Sequence, residues 1–185
     1  MYYSYSLLKK AKQHIANGGV IAYPTESCYG FGCDPSNVKA IRNLLIIKKR
    51  ISAKGLIIVA SDLMQVHAVV SQSVDLIGVE LAKYWPGFYS LIMAKNSKLN
   101  NLVSGRHNKI AVRVSSDKHV RQICSFIDIP IVSTSANLSG KYSVKTYKEC
   151  VRQFGNRVLV LPGKIGGYKK PSSIIDWDSK KVIRE

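Results

Sequence analysis

The hydrophobic residues at the start of the chain change from helical to strand spacing. Between positions 7 and 15 apolar residues recur at helical spacing, which predicts an amphipathic helix that ends at Gly18. Residues 20–23 are all apolar, which predicts a short strand. Residues 25–35 carry two glycines and end in proline, so we expect a loop there.

A second helix is predicted next, and it leads into a strongly apolar strand. Ser36 is the predicted N-cap, and apolar residues at positions 38, 41, 44 and 45 form the predicted inner face. The C-terminal end of this helix carries the three basic residues 48–50. Residues 56–60 are continuously apolar, as expected of a strand that is buried on both faces.

The rest of the chain continues to alternate strands with helices. Two helical stretches are predicted before Trp85, a third after an Asp117 cap up to residue 126, and a fourth over residues 143–154. Short connections between alternating elements predict an α/β protein with one domain over residues 1–185 and an open, twisted, mixed sheet flanked by helices. The further predicted strands are residues 88–94, 110–115, 131–134, 158–161, 174–177 and 182–183.

Composition narrows the class of protein. The chain has 185 residues, 46% of them hydrophobic, which is typical of a globular protein. No run of eighteen apolar residues occurs and the N-terminus lacks the order of a secretory signal, so we expect a cytoplasmic protein that does not enter a membrane. The net charge of +17 favours polyanionic partners such as nucleotides, tRNA or another RNA, although a general compositional bias toward lysine would also produce it.

Several common kinds of site are not predicted. The four cysteines form no CxxC pair and the four histidines are scattered, so we expect reduced, mostly buried thiols and no metal site. The glycine-rich residues 163–167 lack the spacing of a Walker A loop. The chain instead offers hydroxyls and cations, which suit phosphoryl or nucleotidyl transfer because that chemistry depends mainly on positioning and charge neutralisation.

Two strands carry the strongest chemical signals. The segment IVSTSANLSG, residues 131–140, places Ser133, Ser135 and Asn137 at the C-terminal end of a strand, where open α/β sheets place ligands; a helix cap would use the same residues. Arg113 lies in the apolar strand AVRV and needs an anion or a carboxylate partner if it is buried. It could also lie on a solvent-facing side of that strand.

Taken together, these motifs resemble the YrdC family of threonylcarbamoyl-AMP synthases, in its short, single-domain bacterial form. The resemblance implies a YrdC-like fold with a basic concave face. It also implies condensation of L-threonine, bicarbonate or CO₂, and ATP to threonylcarbamoyl-AMP and pyrophosphate. Other proteins of the pathway then transfer the threonylcarbamoyl group to adenosine 37 of tRNAs that read codons starting with A. The matching segments are residues 23–35 (YPTESCYGFGCDP), 48–50 (KKR) with 54–55, 85–87 (WPG), 110–114 (IAVRV), 130–140 (PIVSTSANLSG) and 171–176 (PSSIID).

The resemblance also implies roles for individual residues. Lys48 and Arg50 are the implied catalytic pair, acting on the ATP phosphates and the threonine carboxylate. Magnesium is expected to arrive with ATP, without dedicated protein ligands. The implied threonine-binding residues are Thr25, Arg113, Ser133 and Ser172, and the implied ATP-binding residues are Lys48, Arg50, Lys54, Ser90, Ser135, Asn137, Ser143 and Arg184.

Two departures from the family pattern stand out. Residues 88–89 are Phe-Tyr in place of the more usual proline and aliphatic pair, and the strand at residues 56–60 has no histidine, which some relatives carry near threonine.

Structural readings of the same residues stay open at this point. Thr25 could be a turn residue, Lys48 a solvated helix end, Ser143 a helix cap and Arg184 part of a frayed terminus. The tyrosines at positions 23 and 29 could stack on adenine or belong to the core. The alternative function is a non-catalytic RNA-binding module in tRNA or ribosomal RNA maturation, which the positive charge would also suit.

Overall fold

The computed structural model describes residues 2–71 and 78–185, and one mixed sheet organises them. A 3₁₀ turn at Ser52–Lys54 follows the second helix. The helices are α1 (Tyr5–Ala16), α2 (Val38–Lys48), α3 (Leu63–His67), α4 (Gly78–Leu81), α5 (Asn101–Ser104), α6 (Lys118–Ile127) and α7 (Tyr147–Phe154). The strands are β1 (Ile21–Pro24), β2 (Tyr29–Cys33), β3 (Ile57–Ala60), β4 (Tyr89–Ala94), β5 (Lys109–Val114), β6 (Ile131–Ser135), β7 (Leu159–Val160), β8 (Ser173–Asp176) and β9 (Val182–Arg184).

The sheet has the order β7-β1-β2-β6-β3-β5-β4-β8-β9 within the described part of the chain. The pairs β1–β7, β3–β5 and β4–β8 are parallel, and the others are antiparallel. The expected mixed α/β sheet is therefore confirmed. That residues 1–185 form a single domain stays a prediction.

The two faces of the sheet are covered differently. Helix α2 packs on one face, where Ile41 and Leu44 meet Phe31 and other side chains of the larger core cluster. Helices α1 and α6 pack on the opposite face against β1, β3 and the start of β6. Because side chains alternate along a strand, Ser133 and Ser135 project from the same face as Ile131, beyond the part that the two helices cover. This uncovered part of the sheet holds the cavity described below.

The expected loop at residues 25–35 is wrong, because its centre is the buried strand β2. The glycines that suggested a loop instead allow tight packing: a Cβ atom on Gly32 would lie 2.8 Å from the Tyr23 ring and 3.0 Å from Ile131. Tyr23 and Tyr29 are fully buried, so both belong to the core.

Two predicted helix starts are also wrong. Asn37 caps α2 by accepting a 3.0 Å hydrogen bond from the Ala40 N–H, while Ser36 bonds to the Asp34 carboxylate at 2.6 and 2.7 Å. Thr146 caps α7, so Ser143 lies before the helix in an irregular segment and is not its cap. The Asp117 cap of α6 is confirmed, because the Asp117 carboxylate accepts hydrogen bonds from the His119 and Val120 N–H groups.

The second helical stretch predicted before Trp85 falls partly on residues 72–77, outside the described residues; its described part is the single turn α4. None of the described helices is long and apolar enough to cross a membrane.

Candidate active site

A cavity of about 780 Å³ lies over the uncovered part of the sheet, a size typical of sites for nucleotide-sized ligands. Residues of seven strands line it, among them Ile57 and Val59 of β3 and Ala111 of β5. Of the twelve residues that the sequence implied for the site, eight line this cavity. They are Thr25, Arg50, Lys54, Arg113, Ser133, Ser135, Ser172 and Arg184.

The other four implied residues do not line the cavity. Lys48 and Asn137 lie directly behind Ser135 and contact it. Ser90 is fully buried beneath the wall and its hydroxyl lies 3.0 Å from that of Ser172. Ser143 is half-buried in the segment before α7, apart from the lining.

Lys48 ends α2, and the fold turns its side chain inward, so that it is only 2% exposed. Its Nζ donates to the Ser135 carbonyl, to the Asn137 carbonyl at 3.2 Å and to the Asn137 Oδ1 at 3.0 Å. These partners are all neutral oxygens. Burial, with a smaller effect from the nearby Arg50 charge, lowers the pKa of Lys48 from 10.5 to about 8. The reading of Lys48 as a solvated helix end is therefore wrong.

Arg50 and Lys54 bring two more cations to the cavity from the loop after α2. The Arg50 Nη2 donates a 2.8 Å hydrogen bond to the Gly55 carbonyl, which fixes the guanidinium at the cavity wall. Its Nε is buried with no hydrogen-bond partner among the described residues. Burial lowers the pKa of Arg50. Lys54 is exposed at the rim.

Arg113 is 6% exposed, so the reading that places it on a solvent-facing strand side is wrong. Its Nη2 lies 3.2 Å from Oε2 of Glu26, which is itself 3% exposed. The second carboxylate oxygen of Glu26 accepts a 2.8 Å hydrogen bond from Ser115. The Phe88 ring covers the guanidinium, with 5.4 Å between the ring centroid and the Arg113 Cζ. The carboxylate partner that the sequence required is therefore Glu26.

Ser133 and Thr25 present hydroxyl groups that local hydrogen bonds orient. The buried Tyr23 hydroxyl donates a 2.8 Å bond to the Ser133 Oγ, which leaves the Ser133 hydroxyl hydrogen available for a ligand. Burial raises the pKa of Tyr23, which keeps this phenol protonated as the donor. The Thr25 hydroxyl donates to the Cys28 carbonyl at 2.8 Å, so its oxygen can accept a bond from a ligand.

The C-terminus closes another side of the cavity. Arg184, in β9, donates from Nε and Nη2 to the Ser172 carbonyl at 3.1 and 2.8 Å, so it is not frayed. Burial, and then the positive charge of Arg113, lower the pKa of Arg184. Arg113 and Arg184 thus both line the same cavity, which indicates a site for an anion.

Some residues that line the cavity are not among the twelve that the sequence implied. Arg106 and Lys109 line the cavity just before and at the start of β5, and the run RHNK at residues 106–109 was the available signal. Lys109 is ion-paired with Asp176 at 2.7 Å, which lowers the pKa of that carboxyl to about 2. The hydroxyl of Ser104, also in the lining, is buried without a hydrogen-bond partner in the described residues. No sequence signal marks it.

The lining is strongly cationic. It holds six Lys and Arg side chains and one carboxylate, Asp176, in the part of the chain that the structure describes. Residues 2–71 and 78–185 contain no group of three or more His, Cys, Asp or Glu side chains placed to hold a metal ion. The four cysteines are free thiols. Cations and hydroxyls that line one cavity can stabilise a polyphosphate and orient a second substrate beside it.

Comparison with known proteins identifies the family of this chain. The family model Sua5_yciO_yrdC, described as "Telomere recombination", matches residues 13–185. The threonylcarbamoyl-AMP synthase of Chromobacterium violaceum is 44% identical over 96% of this chain and 92% of its own length. The enzyme of the same name from Neisseria gonorrhoeae is 39% identical over 97% of this chain and 95% of its own.

Solved structures share the fold. P. abyssi Sua5 complexed with L-threonine superposes with a TM-score of 0.86 at 22% identity, covering 96% of this chain and 54% of the archaeal chain. The present chain thus spans about half of that protein. E. coli YciO gives a TM-score of 0.84 at 21% identity, covering 100% and 95%. The fold, the motifs and the match over residues 13–185 establish that this chain belongs to the Sua5/YciO/YrdC family.

Proposed function

We propose that the cavity is the active site of an L-threonylcarbamoyladenylate synthase. The protein is a nucleotidyltransferase that condenses L-threonine, bicarbonate or CO₂, and ATP to threonylcarbamoyl-AMP and pyrophosphate. The product serves the formation of threonylcarbamoyladenosine at position 37 of tRNAs that read codons starting with A. The observation that carries the proposal is the convergence of eight implied residues on one cationic cavity in a chain of this family.

The proposed ATP subsite uses the cations of the loop after α2. Arg50 and Lys54 neutralise charge on the triphosphate, and Arg184, which lines the same cavity from β9, contributes a further positive charge. Ser135 offers a hydroxyl beside them. Lys48 and Asn137 support this subsite from behind, because Lys48 Nζ fixes the turn that carries Ser135. We assign Ser90 a supporting contact through Ser172, and Ser143 an ATP contact that rests on the family motif alone.

The proposed threonine subsite lies at Arg113. A guanidinium presents paired N–H donors that match a carboxylate, which explains why arginine rather than lysine suits this position. Thr25, Ser133 and Ser172 surround it with hydroxyls that can bind the ammonium or hydroxyl groups of the amino acid.

The proposed chemistry needs positioning and charge stabilisation. The neutral threonine amine adds to CO₂ and loses a proton, which forms a carbamate. Starting from bicarbonate, the amine proton and the departing hydroxyl group leave together as one water molecule. A carbamate oxygen then forms a bond to the α-phosphorus of ATP. The bond from that phosphorus to the oxygen bridging to the β-phosphate breaks, and pyrophosphate leaves with the electron pair. Arg50 and Lys54 stabilise the charge that develops on the leaving group.

Magnesium, tRNA with the other pathway proteins, and a cytoplasmic location complete the proposed reaction. Magnesium arrives bound to ATP, since phosphate oxygens are the hard ligands that it prefers. The cationic surface and the net charge of +17 support contact with tRNA and with the other proteins that transfer the threonylcarbamoyl group. The reaction takes place in the cytoplasm, where ATP and tRNA are available.

The decisive experiment measures pyrophosphate release from ATP in the presence of bicarbonate, with and without L-threonine. We expect release that depends on threonine, with threonylcarbamoyl-AMP detected by mass spectrometry. Arg50→Ala should lower the rate about 100-fold or more, the usual loss for one transition-state donor. Arg42→Ala is the matched control, because Arg42 is an exposed arginine on α2, the helix that precedes Arg50 in the chain. Pyrophosphate release that does not depend on threonine would overturn the proposal and favour the RNA-binding alternative.

A further inference from the structure

We propose that Glu26 is a positioning residue that aims the Arg113 guanidinium at the threonine carboxylate. The inference rests on the proposed function and deepens it, because it gives a role to Glu26, a buried carboxylate behind the threonine subsite. Glu26 does not line the cavity, so it acts through Arg113 and does not touch the substrate.

The first support is the hydrogen-bond geometry of Glu26. The carboxylate is 3% exposed and both of its oxygens are engaged, one by Arg113 and one by Ser115. A carboxylate fixed at both oxygens cannot rotate to follow a moving arginine. It therefore holds one end of the guanidinium at a set place. Only one of the five N–H donors of that guanidinium is used in the ion pair, so donors remain for a second carboxylate.

The second support is the way the backbone holds Glu26. Its carbonyl accepts a 2.9 Å hydrogen bond from the Tyr168 N–H, and the neighbouring Thr25 carbonyl accepts one from the Gly166 N–H at 3.0 Å. A Cβ atom on Gly166 would lie 3.0 Å from the Glu26 Cα, so any side chain there would crowd the Glu26 backbone. The glycine-rich segment and the residue that follows it thus hold the backbone at Glu26 in place.

The third support is a ring of contacts around Arg113, formed by Phe88, Tyr168 and Glu26. The Phe88 ring covers the guanidinium, and its centroid lies 4.4 Å from that of Tyr168. Tyr168 is bonded through its N–H to Glu26, which is bonded to Arg113. The arginine is therefore held in its plane by the carboxylate and on one face by an aromatic ring. Its remaining freedom is small, which is what orientation of a reacting amino acid requires.

Two variants test the inference by steady-state kinetics with threonine and ATP varied separately. Glu26→Gln removes the charge and keeps the shape, and Glu26→Asp keeps the charge and withdraws it by one methylene. For each we expect the KM for threonine to rise about 10-fold or more, or about 1.4 kcal/mol, with the KM for ATP changed less than about 2-fold. Thermal unfolding is recorded for both, and Glu26→Asp carries the test if Glu26→Gln does not fold.

Glu80→Gln is the matched control, because Glu80 is also ion-paired, to Lys180 at 2.8 Å, but is far more exposed and lies outside the cavity lining. It should leave both KM values unchanged. Equal increases in both KM values, or no change in either, would overturn the role of Glu26 while leaving threonine-dependent pyrophosphate release by the wild type intact. Absence of that release in the wild type would instead reject the proposed function.

Discussion

The site contains two buried cations that the fold balances in opposite ways. Arg113 meets a carboxylate, Glu26, which is as buried as the arginine itself. Lys48 meets the carbonyls of Ser135 and Asn137 and the Asn137 amide oxygen, with no carboxylate among these contacts. Both side chains are almost fully buried, at 6% and 2% exposure.

The partners of Arg113 and Lys48 decide what each cation can do. A buried ion pair is costly to break, because removing one partner leaves the other charge unpaired in a medium of low polarity. Neutral oxygens stabilise an ammonium less, so burial wins and the pKa of Lys48 falls to about 8. Arg113 is therefore a fixed charge suited to hold an anion. Lys48, whose pKa is lowered to about 8, holds the turn at residues 135–137 in place through its hydrogen bonds.

Replacing each of the two buried cations by methionine should change the free energy of unfolding by different amounts. Arg113→Met leaves the Glu26 charge buried and unpaired, so the free energy of unfolding should fall by about 3–5 kcal/mol. Lys48→Met leaves only neutral acceptors without a partner, and the loss should be about 1–3 kcal/mol. Urea denaturation of both variants measures the difference. Adding Glu26→Gln to Arg113→Met should restore part of the loss; no restoration would contradict the pairing of the two charges.

A second prediction concerns the pH dependence of stability. Between pH 8 and pH 10.5 the folded protein has released the Lys48 proton while the unfolded chain still holds it. The unfolded state then binds more protons, so the contribution of Lys48 to the free energy of unfolding rises with pH across this window. Wild type should therefore gain stability relative to Lys48→Met as the pH is raised through it.

Measuring the difference between the two proteins removes the contribution of other groups. Burial raises the pKa of Cys33, Cys124 and Cys150 to about 12, and these thiols lower stability as the pH rises. They are present in both proteins and cancel. A difference that stays constant or falls from pH 8 to pH 10.5 would show that the Lys48 ammonium is not destabilised by burial.

Removing the aromatic ring over Arg113 should have a smaller effect, which is measured on the KM for threonine. Phe88→Ala removes the ring over the guanidinium, an interaction of about 0.5–1 kcal/mol, and should raise the KM for threonine by about 2- to 5-fold. Phe126→Ala is the control, because Lys12 lies 5.9 Å from that ring outside the cavity lining. Equal effects of the two substitutions on the threonine KM would show that Phe88 has no specific relation to the site.

Local patterns in the sequence predicted most elements of the fold. Helix α6 begins after its predicted cap, Asp117, because capping depends on neighbouring backbone groups. The error at β2 has the opposite origin. Gly30 and Gly32 break an isolated segment, but in this sheet β1 and β6 flank the strand and occupy the space that side chains would need. Only neighbours brought together by folding reveal that requirement.

The site shows the same division. Residue type and spacing alone predict that a strand-borne Arg113 needs a counterion, that small hydroxyl residues end β6, and that basic residues follow α2. The folded chain is needed to show that the counterion is Glu26, 87 positions away, and that Lys48 turns inward to oxygens 87 and 89 positions away. Partners at such separations are selected by strand order and packing, because a side chain contacts what the fold places within a few ångströms, whatever its place along the chain.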